Sequence, residues 1–276
     1  MSRIKLIALD LDGTLLDSAL QISDANMDAL RRAMELGVAV ALSTGRMFRS
    51  AKAFAMRIGT GMPIICYNGA MTRRPDGETM ANMPLDIGVA RGLLSMFRDR
   101  DMYVQSYIDD VLHVRSALEG EAASYMSVFG VEGRSVGDAL YSPEAAPTKL
   151  LAVTSGLGQS HEIVREMSGI FGGRLYITVS NANFVEMMDP GANKGDRLEE
   201  LARGMGFGME SVMAIGDGEN DVEMISRAGV GIAMRNGLDR VLSAADDIAP
   251  TNDEDGVAWA VARYVLNAQP ARGDWG

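Results

Sequence analysis

The chain has little of what staples a protein, anchors it, or binds polyanions. Its one cysteine, Cys66, cannot form an internal disulfide, which fits a reducing compartment. Cys66 follows Ile64 and Ile65, with no histidine nearby, so it reads as a buried small hydrophobe rather than a reactive thiol. No stretch approaches the ~18 uninterrupted apolar residues that cross a bilayer. The first apolar run, Ile4 to Leu9, is already broken by Lys5. Met1-Ser2-Arg3 leads into that run and meets Asp10 at once, unlike a secretory signal, so a cytoplasmic protein is expected. Basic charge is also short: 26 basic against 37 acidic residues leave a net charge of −11. Arg31-Arg32 and Arg73-Arg74 are isolated pairs, read as a solvated helix face and a solvated loop. Neither nucleic acid nor membrane is an expected partner. Internal repeats, low-complexity tracts and a serine-hydrolase nucleophile elbow are missing. Gly204-Met-Gly206-Phe-Gly208 lacks the dinucleotide fingerprint's spacing and precedes a strand.

What is present suffices for folding. Apolar residues form 47% of 276, enough for one large domain or two modest ones. The twenty methionines are scattered and read as core filler. Ile4 to Leu9, Val38 to Leu42 and Pro63 to Cys66 read as buried strands. Between them lie helices over Ser23 to Leu36, with Ser23 as N-cap and Gly37 as stop, and over Arg46 to Ile58, closed by Gly59. This order predicts right-handed crossovers and a parallel sheet.

After Gly69 the pattern becomes hairpins mixed with helices. Met71 to Met83 reads as a hairpin turning at Pro75-Asp76-Gly77, and Asp86 to Arg100 as a helix. Tyr103 to Ile108 and Val111 to Val114 flank Asp109-Asp110 as a second hairpin. Helices follow over Leu118 to Phe129 and His161 to Ile170, with strands over Thr148 to Thr154, Leu175 to Val179 and Phe184 to Met188. From Lys194 the first pattern returns: helix to Met205, strand Val212 to Ile215, helix Asp221 to Ala228, strand Val230 to Ala233, then helices Leu238 to Ala244 and Gly256 to Leu266. The expected architecture is an α/β domain (1–83 and 190–276) with an α+β module (84–189) inserted at Asn82-Met83-Pro84 and Asp189-Pro190-Gly191.

Three strand ends in the α/β parts finish in polar groups: Asp10-Leu11-Asp12-Gly13-Thr14, Ser43-Thr44-Gly45-Arg46, and Gly216-Asp217-Gly218-Glu219-Asn220-Asp221. Ligands bind beyond the carboxyl ends of such strands. Asp10, Asp12, Asp217 and Asp221 would crowd together there, raising one another's pKa unless a cation sits among them. Oxygen donors without histidine or thiolate select a hard cation, naturally magnesium. A free carboxylate beside that ion can attack phosphorus. A second carboxylate two residues on can handle the proton. Thr44 offers a hydroxyl, and Gly45 an uncrowded N–H at a helix start. Lys194 also opens a helix, where the dipole disfavours a cation, so its place wants another reason. Holding phosphate and balancing the acid cluster would supply one. Taken singly, Asp221 could be a helix cap and Lys194 merely solvated.

These stretches resemble the haloacid dehalogenase (HAD) superfamily of phosphatases. Asp10-Leu-Asp12-Gly-Thr14 is similar to its first motif, Thr44 to its second, Lys194 to its third and Gly-Asp217-Gly-Glu-Asn220-Asp221 to its fourth, in matching order. The long insert, Tyr67-Asn68-Gly69-Ala70 and Thr251 to Ala258 resemble the Cof-type branch with a type IIB (C2B) cap. The resemblance covers nearly the whole chain. It implies a Rossmann-like core and a cap that closes over the site. It implies Asp10 as nucleophile and magnesium ligand. Asp12 would be acid then base, with its carbonyl on the metal, and Asp217 the other ligand. Asp221 would support the metal's water shell or Lys194. Thr44, Gly45, Lys194 and Asn220 would hold phosphate, with Arg46 and Asn68 at the rim. Arg235 departs from the family, which more often carries glycine there. In the cap, His113, Arg115 and Tyr107 could line a pocket but read as ordinary surface or core side chains, and His161 as a helix-surface residue.

The expected activity is hydrolysis of a small phosphorylated metabolite, such as a sugar phosphate, by a monomer or small homo-oligomer. A sugar-phosphate phosphomutase and a non-catalytic ligand binder on the same fold are the alternatives. The intact Asp10, Asp12, Lys194 and Asp217 speak against the last.

Overall fold

The computed structural model describes residues 4–118 and 120–266. Met1 to Arg3, on which the signal-peptide reading drew, and Glu119, inside the expected helix over Leu118 to Phe129, lie outside the described residues. Among the described residues no helix is long and apolar enough to cross a membrane.

Asp247–Ala249, Val230–Met234, Val212–Gly216, Leu6–Leu9 and Ala39–Leu42 lie side by side in one parallel sheet. Successive side chains point to opposite faces, and both faces are covered. Ile7, Leu9, Val40 and Leu42 pack toward the helices Asp24–Glu35 and Phe48–Ile58. Leu6, Ala8, Ala41 and Ala214 pack toward Lys194–Gly204 and Val222–Arg227. Every residue from Leu6 to Leu9 is therefore fully buried, each large one contributing roughly 2 kcal/mol of transfer free energy. Local signals set the helix ends. The Ser23 hydroxyl accepts the Asn26 N–H at 3.1 Å, and Gly59 takes the left-handed conformation that stops its helix.

The strand Ile64–Cys66 corrects the expected run of parallel strands. It leaves the main ladder and joins Met71–Arg73 and Thr79–Asn82 in a separate antiparallel sheet. It touches the parallel sheet through a single bridge, Ser43 to Ile65. The hairpin beginning at Met71 takes the strand's open edge, and backbone groups pair with whichever neighbour is nearest. Two strands go unannounced by the sequence pattern, Gly133–Ser135 and Asp247–Ala249.

The inserted segment builds a six-stranded sheet in which Gly133–Ser135 alone pairs in parallel fashion. Its central hairpin turns at Asp109 and Asp110, both at positive φ (52° and 58°), as a two-residue turn of matching twist requires. Val104, Leu150, Val185 and Met187 pack against the helices Ile87–Asp99 and Leu157–Phe171. Gln105, Tyr107, Lys149 and Glu186 project from the opposite face, toward the carboxyl end of the parallel sheet.

Candidate active site

Strand register brings the polar stretches together. Leu9 stands level with both Ile215 and Leu42. Asp10, Gly216 and Ser43 therefore leave the sheet at one height, on its carboxyl edge. Gly13, at φ 75°, turns the first stretch back; a side chain there would collide with the Asp217 carboxylate.

Lys194 is the hub. Its ammonium, fully buried, donates to Asp10 Oδ1 at 2.7 Å and to Asp221 Oδ1 at 2.6 Å. Asn193 caps the helix that Lys194 opens, its Oδ1 accepting the Asp196 N–H at 2.7 Å. Asp221 spends its other oxygen on the N–H groups of Asp217 (3.0 Å) and Gly218 (2.9 Å). It thus holds both the loop and the lysine. Asp217 Oδ1 accepts the Thr14 hydroxyl at 2.6 Å.

The electrostatics are those of a buried acid cluster. Burial pushes Asp10 up to about 7; Lys194 opposes that shift, and Asp221 and Asp12 add to it. Burial, then Asp10 and Asp221, push Asp217 well above the carboxylate range. For Lys194 burial pulls downward, but Asp10 and Asp221 outweigh it and hold the ammonium above its ordinary value. One oxygen from each of Asp10, Asp217 and Asp221 lies within 4.8 Å of the others. An all-oxygen donor set whose carboxylates resist ionising together fits a hard dication.

The Asp12 carboxylate is engaged with Arg46. Both of its oxygens lie on Arg46, Oδ2 with Nε at 2.7 Å and Oδ1 with a terminal nitrogen at 2.5 Å. Arg46, placed at the phosphate rim by sequence, is thus engaged with a neighbouring acid. Thr44 is fully buried, and its hydroxyl accepts the Arg46 N–H at 3.2 Å.

A cavity of about 380 Å³ opens above these groups. Its floor includes Asp10, Asp12, Gly45, Arg46, Asp217 and Asn220; Tyr125, Phe129, Lys149, Phe184 and Glu186 of the inserted segment form its other wall. Sequence reasoning missed Lys149 and Glu186. Lys149 Nζ donates to Glu186 Oε1 at 2.9 Å and, across to the parallel-sheet half, to the Gly45 carbonyl at 2.6 Å. It also sits 4.9 Å above the Tyr107 ring. The other Glu186 oxygen accepts from the Asn68 amide, whose Oδ1 accepts from Asn220 at 2.8 Å. A lone charge inside each apolar strand was the available signal. Tyr107 is buried beneath this cavity wall, bonded to Tyr125 at 2.8 Å. His113 and Arg115 stand apart from the cavity, and Arg235 is exposed. His161 reaches across to Glu219 at 3.2 Å.

Residues 7–261 match the model of a family described as haloacid dehalogenase-like hydrolase. The chain therefore belongs to the haloacid dehalogenase-like hydrolase family, as a phosphatase. A relative in Bacillus subtilis (strain 168), the 5-amino-6-(5-phospho-D-ribitylamino)uracil phosphatase YcsE, is 31% identical over 263 residues, covering 95% of this chain and 96% of its own. A haloacid dehalogenase-like hydrolase from Bacteroides thetaiotaomicron superposes with a TM-score of 0.82 at 32% identity, over 95% of this chain and 99% of that one. The chloroplastic endoribonuclease YBEY of Arabidopsis thaliana is 29% identical over 94% of this chain, which spans 46% of that protein's length.

Proposed function

We propose that this protein is a magnesium-dependent phosphatase of a small phosphorylated metabolite, working in the cytoplasm through an aspartyl-phosphate on Asp10. The observation that carries the reading is the Lys194 ammonium held between Asp10 and Asp221, with Asp217 beside them. Asp10, Asp217 and the Asp12 carbonyl would hold magnesium, which offsets phosphate charge when bound. Lys194 keeps the Asp10 carboxylate aimed and balances the cluster's charge. An Asp10 oxygen attacks phosphorus, the ester P–O bond breaks, and the leaving oxygen takes a proton from Asp12. Asp12 then takes a proton from water; that oxygen attacks phosphorus, the bond to Asp10 breaks, and inorganic phosphate departs. Gly45, Thr44 and Asn220 hold the phosphoryl oxygens. The segment 84–189 acts as the cap, excluding water and choosing the leaving group.

A cavity of about 380 Å³ suits a small metabolite such as a sugar phosphate. The test is phosphate release from a panel of sugar phosphates and ribitylamino-uracil phosphates, with magnesium and with chelator. Release that stops in chelator and in Asp10→Asn supports the reading; equal rates with and without metal overturn it.

A further inference from the structure

Arg46 has a place that phosphate binding does not explain. Its guanidinium grips the Asp12 carboxylate at two points, 2.7 Å and 2.5 Å. A third contact runs to the Ser50 hydroxyl at 3.2 Å. The guanidinium carbon lies over two aromatic rings, 5.1 Å from the centroid of Phe54 and 5.2 Å from that of Phe129. Arg46, Ser50 and Phe54 belong to the parallel-sheet half, whereas Phe129 ends the helix Gly120–Phe129 of the inserted segment. The Arg46 side chain is only 7% exposed, while that of Asp12 is 39% exposed and lines the cavity. One partner is locked and the other is presented.

A fork on a carboxylate fixes both the position and the rotation of the carboxylate plane. Each Asp12 oxygen keeps a second lone pair, which the open side of the carboxylate leaves to the cavity. We infer that Arg46 is a positioning residue that orients Asp12 for proton transfer to the leaving oxygen, and that Phe129 makes this orientation depend on the cap being seated. The inference rests on the phosphatase reading and goes beyond it by assigning Arg46 to the acid rather than to the phosphate. It names Phe129 as the only ring of the inserted segment over which that guanidinium lies among the described residues.

Leaving groups separate the two roles. An alkyl phosphate, such as glycerol 3-phosphate, needs a proton on its leaving oxygen; p-nitrophenyl phosphate needs little help. kcat/KM reports events up to formation of the phospho-enzyme and is the quantity to compare. For Arg46→Lys, which keeps the charge but loses the fork, the expected result is a ~100-fold fall on the alkyl ester, the span of a lost general acid. Little change is expected on the aryl ester or in inhibition by inorganic phosphate. Phe129→Leu shows the same pattern more weakly. In an Asp12→Asn background neither substitution lowers the alkyl rate further, because the group they orient is gone. Equal losses on both esters with weaker inhibition by phosphate make Arg46 a phosphate ligand and overturn the inference. So do unchanged rates, or a gain on the alkyl ester. Should Arg46→Lys fail to fold, Phe129→Leu alone decides: an unselective effect, or none, removes the link to the cap. A wild-type protein inactive on both esters sinks the phosphatase reading itself, which is a different outcome.

Discussion

The carboxylate of Asp110 accepts the N–H of Phe48 at 2.9 Å and caps a helix to which it does not belong. It accepts the Arg49 N–H as well, at 3.1 Å, and the Tyr67 hydroxyl at 2.7 Å. Met47, the residue preceding the helix, makes no side-chain cap of its own. The inserted segment thus supplies the cap for a helix of the parallel-sheet half, by way of a hairpin turn. The joint is local in each partner and long-range between them.

Replacing Asp110 by alanine removes the acceptor from buried N–H groups and places an ordinary side chain at φ 58°. The expected cost is about 2 kcal/mol. Asparagine keeps an acceptor and tolerates the left-handed conformation, so Asp110→Asn loses less than alanine does. Urea midpoints of the two variants check the order; equal losses would contradict it.

Lys149 and Glu186 form an ion pair whose side chains are 2% and 4% exposed. Breaking such a pair strands a buried charge, so Lys149→Met is expected to cost about 3–5 kcal/mol. The double substitution Lys149→Met with Glu186→Gln removes the stranded charge and recovers part of that loss. A double-mutant cycle read from denaturant midpoints measures the coupling. Additive losses would show that the pair is not a unit.

The acid cluster makes stability depend on pH when magnesium is withheld. Burial pushes Asp10 up to about 7 and Asp217 well above the carboxylate range. Folded, these groups keep protons that the unfolded chain releases from about pH 4 upward. The folded state then binds more protons than the unfolded one, so stability falls as pH rises. The loss begins near pH 4 and runs through about 7 for Asp10, and higher for Asp217. Lys194, raised above its ordinary 10.5, keeps its contribution across that window. Thermal melts in chelator follow the fall; saturating magnesium favours the ionised carboxylates and should flatten it.

Asp10→Asn keeps the shape of the nucleophile and removes its reactivity. Turnover is expected to fall at least ~10³-fold on every ester, since no other group can take its place in bond formation. Stopped-time phosphate assays alongside circular dichroism separate lost chemistry from lost fold. A variant with appreciable residual turnover would remove Asp10 from the nucleophile's role.

Much of this chain declares itself locally. Apolar runs bounded by Asp10, Ser43 and Asp217 mark strands buried on both faces. Ser23 and Asp86 announce helix starts, and each accepts an N–H three residues on. Asp109-Asp110 announces a hairpin whose pairing begins at Ile108 and Val111. These are rules of neighbours, and the α/β architecture follows from them. The meeting of Asp10, Asp217, Asp221 and Lys194 follows one step later, because parallel strands in register put their ends at one edge. Three-residue strands such as Gly133–Ser135 stay silent, since so short a piece shows no period. Only the tertiary structure decided that Asp12 would engage Arg46. Only it could bring Lys149 to Gly45, 104 residues away, and Asp110 to Phe48, 62 residues away. A charge in a strand or a turn reads as solvated until packing supplies its partner. That partner is chosen by how two halves seat together, which no local window contains.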